Sequence, residues 1–219
     1  GPPVAVDDSA ATSQGVAVLI AVLENDLVSD VLVPNAALNP ASVRVTTAAP
    51  VSEGTTLVNA ATGAITFVPA SGFVGISQFE YEVCDSSVPV PPAANCDRAV
   101  VTVTVVAGPT ANDDAATTTQ NHPVTVDVLG NDVSGAAPLN ASSVTIVTPA
   151  GEIPGVVTVD ATTGAITFVP DPAFVGTTTI VYQVCDTNGS CATATVTVRV
   201  AGPPVAVDDS AATSQGVAV

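Results

Sequence analysis

Hydrophobic and polar residues alternate with a period of two in short runs along this chain, and no run keeps apolar residues at helical spacing over three turns. Thr and Val, stiff at Cβ and poor helix formers, fill the runs, and Gly, Pro, Asn or Asp bounds each one. In the first half the pattern predicts strands at about 4–12, 16–24, 41–48, 55–59, 64–68, 77–84 and 98–106. NAATG makes the fourth and fifth of these a hairpin with a Gly-containing turn. Phe79, Tyr81 and Val83 share one face of the sixth run, with Glu80, Glu82 and Cys84 on the other. Near the end of the second half, Ala192, Ala194, Val196, Val198 and Val200 alternate in the same way with Cys191, Thr193, Thr195, Thr197 and Arg199. Tyr81 and Tyr182 are thus expected in the core and the cysteines on the solvent face.

The pattern occurs twice. Val6-Asp7-Asp8 returns as Asn112-Asp113-Asp114, VLEND as VLGND, ATGAITFVP as TTGAITFVP, GFVG as AFVG and YEVCD as YQVCD. Residues 1–18 read GPPVAVDDSAATSQGVAV and recur letter for letter at 202–219. Seven strand-like runs per half predict an all-β chain of tandem Ig-like Greek-key β-sandwiches. The expected domains are 1–107, with loop insertions near 27–35 and 86–95, then 108–201, then 202–219 as the start of a further repeat. The insertions, one of them rich in Val and Pro, fit either a tailored domain joint or lateral contact site, or a longer loop without a role.

Charge narrows the function. Twenty acidic residues against three Arg and no Lys give a net charge of −17, which argues against nucleic acid and anionic lipid as partners. No apolar run is long enough for a membrane span, so membrane insertion of this segment is not expected. Cys84 with Cys96 and Cys185 with Cys191 form two local pairs suited to disulfides and an oxidising, extracytoplasmic setting. Each would staple the hairpin between the last two strands. His122, the single histidine, sits in a turn with no nucleophile nearby and reads as a surface residue.

Strands running alternately up and down bring the chain start and the loops after the second, fourth and sixth strands to one pole. That gathers Asp7, Asp8, Asn25, Asp26 and Asp85 in the first repeat, and Asp113, Asp114, Asn131, Asp132, Asp186 and Asn188 in the second. Asp208 and Asp209 repeat the first pair. Clustered carboxylates repel unless a cation sits among them, and calcium, with six to eight oxygen ligands, suits such a set. An ion at the junction of two domains would stiffen the short Ala-Gly-Pro joints at 107–109 and 201–203. The same residues also serve as plain turn formers that cap backbone N–H groups.

The succession of DD, VLxND, an aromatic-Val-Pro segment, GFVG, YxVCD and a Thr/Val last strand resembles the bacterial Ig-like or cadherin-like tandem repeats of large surface adhesins and extracellular fibres. The resemblance implies a secreted or surface-attached stalk, often calcium-dependent, with the acidic residues named above as ligands, and no enzyme activity. Its partners would be identical repeats or subunits head to tail, and divalent ions would bundle neighbouring stalks. Two alternatives stand beside the stalk. One is a separate fibre subunit donating the 203–219 strand, with Val205 and Val207, to the next molecule. The other is a carbohydrate-binding module.

Overall fold

The computed structural model describes residues 2–28, 37–86 and 95–218. The expected insertions near 27–35 and 86–95 fall mostly outside these residues. The fold is all-β: two β-sandwiches in tandem, with one short 3₁₀ turn at Ala150–Glu152.

In the first sandwich the strands are β1 (Asp8–Ser13), β2 (Val18–Ile20), β3 (Leu38–Thr47), β4 (Gly54–Val58), β5 (Ile65–Pro69), β6 (Gly75–Asp85) and β7 (Cys96–Val106). One sheet has the order β1-β7-β6-β3, and the other β2-β5-β4. The second sandwich repeats this with β8 (Asp114–Thr119), β9 (Val124–Val126), β10 (Leu139–Ile146), β11 (Gly155–Val159), β12 (Ile166–Pro170), β13 (Gly176–Asp186) and β14 (Cys191–Ala201). Its sheets run β10-β13-β14-β8 and β11-β12-β9.

The period-two pattern decides which side chains meet. Phe79, Tyr81 and Val83 of β6 and Val101, Val103 and Val105 of β7 point inward and close on Ile65 and Phe67 of β5. Phe67 and Phe79 stack with centroids 6.3 Å apart. The second core uses Phe168, Ile180, Tyr182, Val196, Val198 and Val200 at matching positions. With so few rings, each core relies on Val and Ile, and β-branched residues hold their rotamers on a pleated surface.

The structure departs from the sequence pattern in the first two strands. Regular pairing in the first begins at Asp8, and Val4 makes only a single bridge to Leu27. The second shrinks to Val18–Ile20, because VLEND folds into turns in which Glu24 N–H donates to the Ala21 carbonyl. The run stays apolar because Val22 is fully buried at the corner where the chain leaves the sheet.

β1 pairs with β7 in parallel, and β8 with β14 likewise. Each sandwich therefore takes in the chain at one pole and releases it at the other. Both cysteine pairs are disulfides, Cys84–Cys96 and Cys185–Cys191, each joining the residues that face one another at the mouth of the last hairpin.

Candidate functional site: two carboxylates around a buried tyrosine

The entry pole of the first sandwich is organised by Tyr81, whose ring is wholly buried and whose hydroxyl reaches the corner after β2. That oxygen lies 2.9 Å from both Asp26 carboxylate oxygens and 3.1 Å from the Val22 carbonyl. Asp26 also accepts the Val6 N–H at 2.7 Å, and the Asn25 amide donates to the Val6 and Asp7 carbonyls. These bonds sew the segment before β1 to the end of the VLEND turn. Asp8 follows on the inward side of β1, in line with Ala10 and Thr12.

The second sandwich copies the arrangement. The Tyr182 hydroxyl lies 3.0 and 3.1 Å from the Asp132 oxygens, 3.2 Å from the Val128 carbonyl and 3.4 Å from Asp114 Oδ2. Asp132 accepts the Asn112 N–H, and the Asn131 amide donates to the Asp113 carbonyl.

One phenolic proton cannot serve so many oxygens. Asp8 Oδ2 is buried with no hydrogen-bond partner among the described residues. Burial, and then the nearby Asp26 charge, push the Asp8 carboxyl up to about 6. Asp26 is raised, by burial first, and so is Asp114, by burial and then by Asp132. Both tyrosines are pushed well above the ordinary phenol range, by burial first and by their carboxylate neighbours. The cluster is thus rich in oxygen and short of positive charge, which an added proton or cation would relieve. An open groove of about 510 Å³ between β1 and β2, lined by Asp7, Asp8, Glu24 and Asn25, leads to it.

The remaining predicted residues take other roles. Asp7 faces outward and accepts the Val100 N–H, extending the β1–β7 ladder by a side chain, and Asp113 does the same for Thr195 N–H. Asp85 and Asp186 end β6 and β13 on the buried face. Asp186 Oδ1 accepts the N–H groups of Asn188 and Ser190 within its own hairpin. Asn188 reaches across to the first sandwich, its amide 3.1 Å from Ser13 Oγ. Asp208 and Asp209 are exposed.

The predicted residues fall into separate groups, Asp8 with Asp26 and Asp114 with Asp132 around the two tyrosines, and Asp186 with Asn188 in the last hairpin. Among the described residues, the only group of three His, Cys, Asp or Glu side chains with ligand atoms within 4.8 Å of one another is Glu82, Cys84 and Cys96. Those sulfurs are tied in a disulfide, and Glu82 is held by Arg44 and Arg98, so that group does not fit a metal. The Asp8–Asp26 pair does fit a hard cation, through its unpartnered oxygen and the Val6 and Val22 carbonyls beside it.

Alternation placed the tyrosines in the core and missed their hydroxyls. The available signal was that both repeats put Tyr three residues before Cys, in YEVCD and YQVCD. Asp97 was also missed, and its carboxylate accepts the Ala5 N–H.

Against known proteins, the bacterial Ig domain profile matches residues 1–104 and again 107–199. The chain belongs to the bacterial Ig domain family. Comparison with curated proteins gives no match. Among solved structures, one similar chain is mouse cadherin-23 EC22-24, 16% identical over 92% of this chain and 65% of that one, with a TM-score of 0.34. The human desmocollin-1 ectodomain is 11% identical over 92% and 41%, at 0.32. An endo-fucoidan hydrolase of glycoside hydrolase family 107 is 14% identical over 92% and 29%, at 0.37. The chain spans under a third of that hydrolase and under half of desmocollin-1.

Proposed function

We propose that this bacterial Ig chain is a structural segment of an extracellular fibre or adhesin stalk, with no catalytic role. The observation that supports the reading is the parallel pairing of first and last strands in both sandwiches, which sets entry and exit at opposite poles. Domains linked this way extend as a string, with neighbouring repeats head to tail. Strands of eleven residues make each domain about 36 Å long, so two in line give a radius of gyration of about 23 Å, against about 17 Å for a single compact body of this size. Small-angle scattering checks this, and a value near 17 Å would overturn the stalk.

Calcium is the proposed cofactor. The residues that would hold it are Asp8 and Asp26 in the first repeat, and Asp114 and Asp132 in the second. Asn25 and Asn131 brace them. A bound divalent ion would supply the missing positive charge and pin the edge strand β1 or β8 to the opposite sheet. Calcium should raise the melting temperature and chelator should lower it. Asp26→Ala or Asp132→Ala should abolish that response in its own domain. Identical melting with calcium and with chelator would refute the metal.

A second reading rests on the 202–218 segment, which repeats β1 in sequence yet lies exposed and unpaired, with Val205 and Val207 facing solvent. It could donate its strand to β7 of a second copy. Denaturation dissociates a non-covalent strand exchange, so native material that then runs as one small polypeptide would favour separate subunits, and one very large polypeptide would favour tandem repeats.

A further inference from the structure

Among the described residues, the ion pairs lie within the first sandwich and none joins the two sandwiches. Where β1 turns toward β2, Ser13, Gln14 and Gly15 form a tight turn, with Gly15 at φ +74° and Val16 N–H donating to the Ser13 carbonyl. The β13–β14 hairpin of the second sandwich reaches this turn with two side chains. Ser190 Oγ donates to the Gln14 carbonyl at 2.6 Å, and the Asn188 amide donates to Ser13 Oγ at 3.1 Å.

The linker is gripped from both sides. Gly108 N–H donates to Gln14 Oε1 at 3.2 Å, and Ala136 N–H donates to the Ala107 carbonyl at 2.9 Å. A Cβ on Gly135 would overlap the Gly108 carbonyl oxygen, and one on Gly108 would overlap Ser190 Oγ. Ser13 and Ser190 are almost fully buried here.

Carboxylates are scarce at this contact. Asp186 lies behind it: its Oδ1 accepts the hairpin's own N–H groups, its Oδ2 is buried without a hydrogen-bond partner among the described residues, and no group of three His, Cys, Asp or Glu ligand atoms among those residues includes it. We propose that the turn–hairpin contact is a direct, ion-independent lock between the two domains, with the Cys185–Cys191 disulfide as its clasp. The disulfide closes a short loop, its cysteines 6 positions apart in sequence, that presents Asn188 and Ser190 as a unit, so the lock does not have to order that loop on contact. The lock also reads which turn it meets. The corresponding turn of the second sandwich has Asn121 at φ +66° in place of Gly15, and Gln120 commits its amide to the Pro172 carbonyl at 2.7 Å. Residues 214–216 restore Ser-Gln-Gly, the sequence that the hairpin recognises.

This inference rests on the stalk reading and relocates its stiffness from bound calcium to direct contact. Two amides report the joint alone, Gly108 N–H and Ala136 N–H, and hydrogen exchange by NMR on the whole chain measures both. Chelator should leave their protection unchanged, even where it lowers the melting temperature. Gln14→Ala should cut Gly108 protection about fivefold or more, the equivalent of one net hydrogen bond. A Cys185→Ser/Cys191→Ser double variant, with Cys84–Cys96 intact, should lower protection at Gly108 while both domains stay folded. Loss of protection in chelator would overturn the ion-independent lock, and full protection in the double variant would overturn the clasp. Compact scattering with protected amides would fault the stalk and leave the lock standing.

Discussion

Acid should stabilise this protein where it destabilises most. In the folded chain Asp8 titrates at about 6 instead of the ordinary 3.8, because burial disfavours its charge and Asp26 lies close. The folded state thus binds this proton more tightly than the unfolded state, the reverse of a salt-bridged carboxylate. Its penalty is absent below about pH 4, grows as the pH rises, and is complete above about pH 6. The two values correspond to about 3 kcal/mol, which water screening at this partly open site reduces to about 1–2 kcal/mol. About half of that is released between pH 7 and pH 5, which for a domain of this size is a rise in melting temperature of about 2–5 °C in chelator. Calorimetry across that range measures it, with Asp8→Asn as the control that removes the titrating group and keeps its shape. Bound calcium would flatten the dependence by holding Asp8 ionised. Melting that falls on acidification in chelator, or an unchanged slope in Asp8→Asn, would refute the reasoning.

Two further outcomes follow from the packing. Tyr182→Phe keeps the buried ring but removes the hydroxyl beside Asp132, and should destabilise the second domain by about 1.5–3 kcal/mol in denaturant unfolding; no change would mean that the hydroxyl bond contributes nothing. Gly54→Ala sets a methyl against the Phe67 ring at the edge of β4, and should cost about 1–3 kcal/mol in the first domain alone, read from its separate transition.

Much of the fold was legible because alternation is a local property. The strand pattern around Phe79-Glu80-Tyr81-Glu82-Val83 gave the core face, although Glu82 on the other face is also buried, paired with Arg44 and Arg98, and the cysteine spacing gave both disulfides. The carboxylate site was only half legible. Which acids approach a pole follows from strand direction, but which of them turn inward depends on where pairing starts. β1 begins at Asp8, so Asp8 faces the core seam and Asp7 faces the edge of β7. A shift of one residue would exchange them. The joint was not legible, since Ser13, Gln14 and Ser190 look like ordinary turn residues until the two domains are placed together.

The repeated stretch separates the two kinds of information. At 12–16 and again at 213–217 the same turn forms, with Thr12 Oγ1 donating to the Val16 carbonyl and Thr213 Oγ1 to the Val217 carbonyl, each at 2.7 Å. Gly15 and Gly216 both take positive φ, +74° and +85°. The sequence by itself determines that turn, because all its partners lie within five residues. The strand before it exists only in the first copy, where β7 supplies the ladder and Tyr81 and Asp26 hold the entry. In the second copy the identical residues from Asp209 to Ser214 have no such ladder among the described residues and are not in a strand. A β-strand's hydrogen bonds run to another chain segment, so only the tertiary structure decides whether this sequence is a strand, and whether its aspartates meet a tyrosine or water.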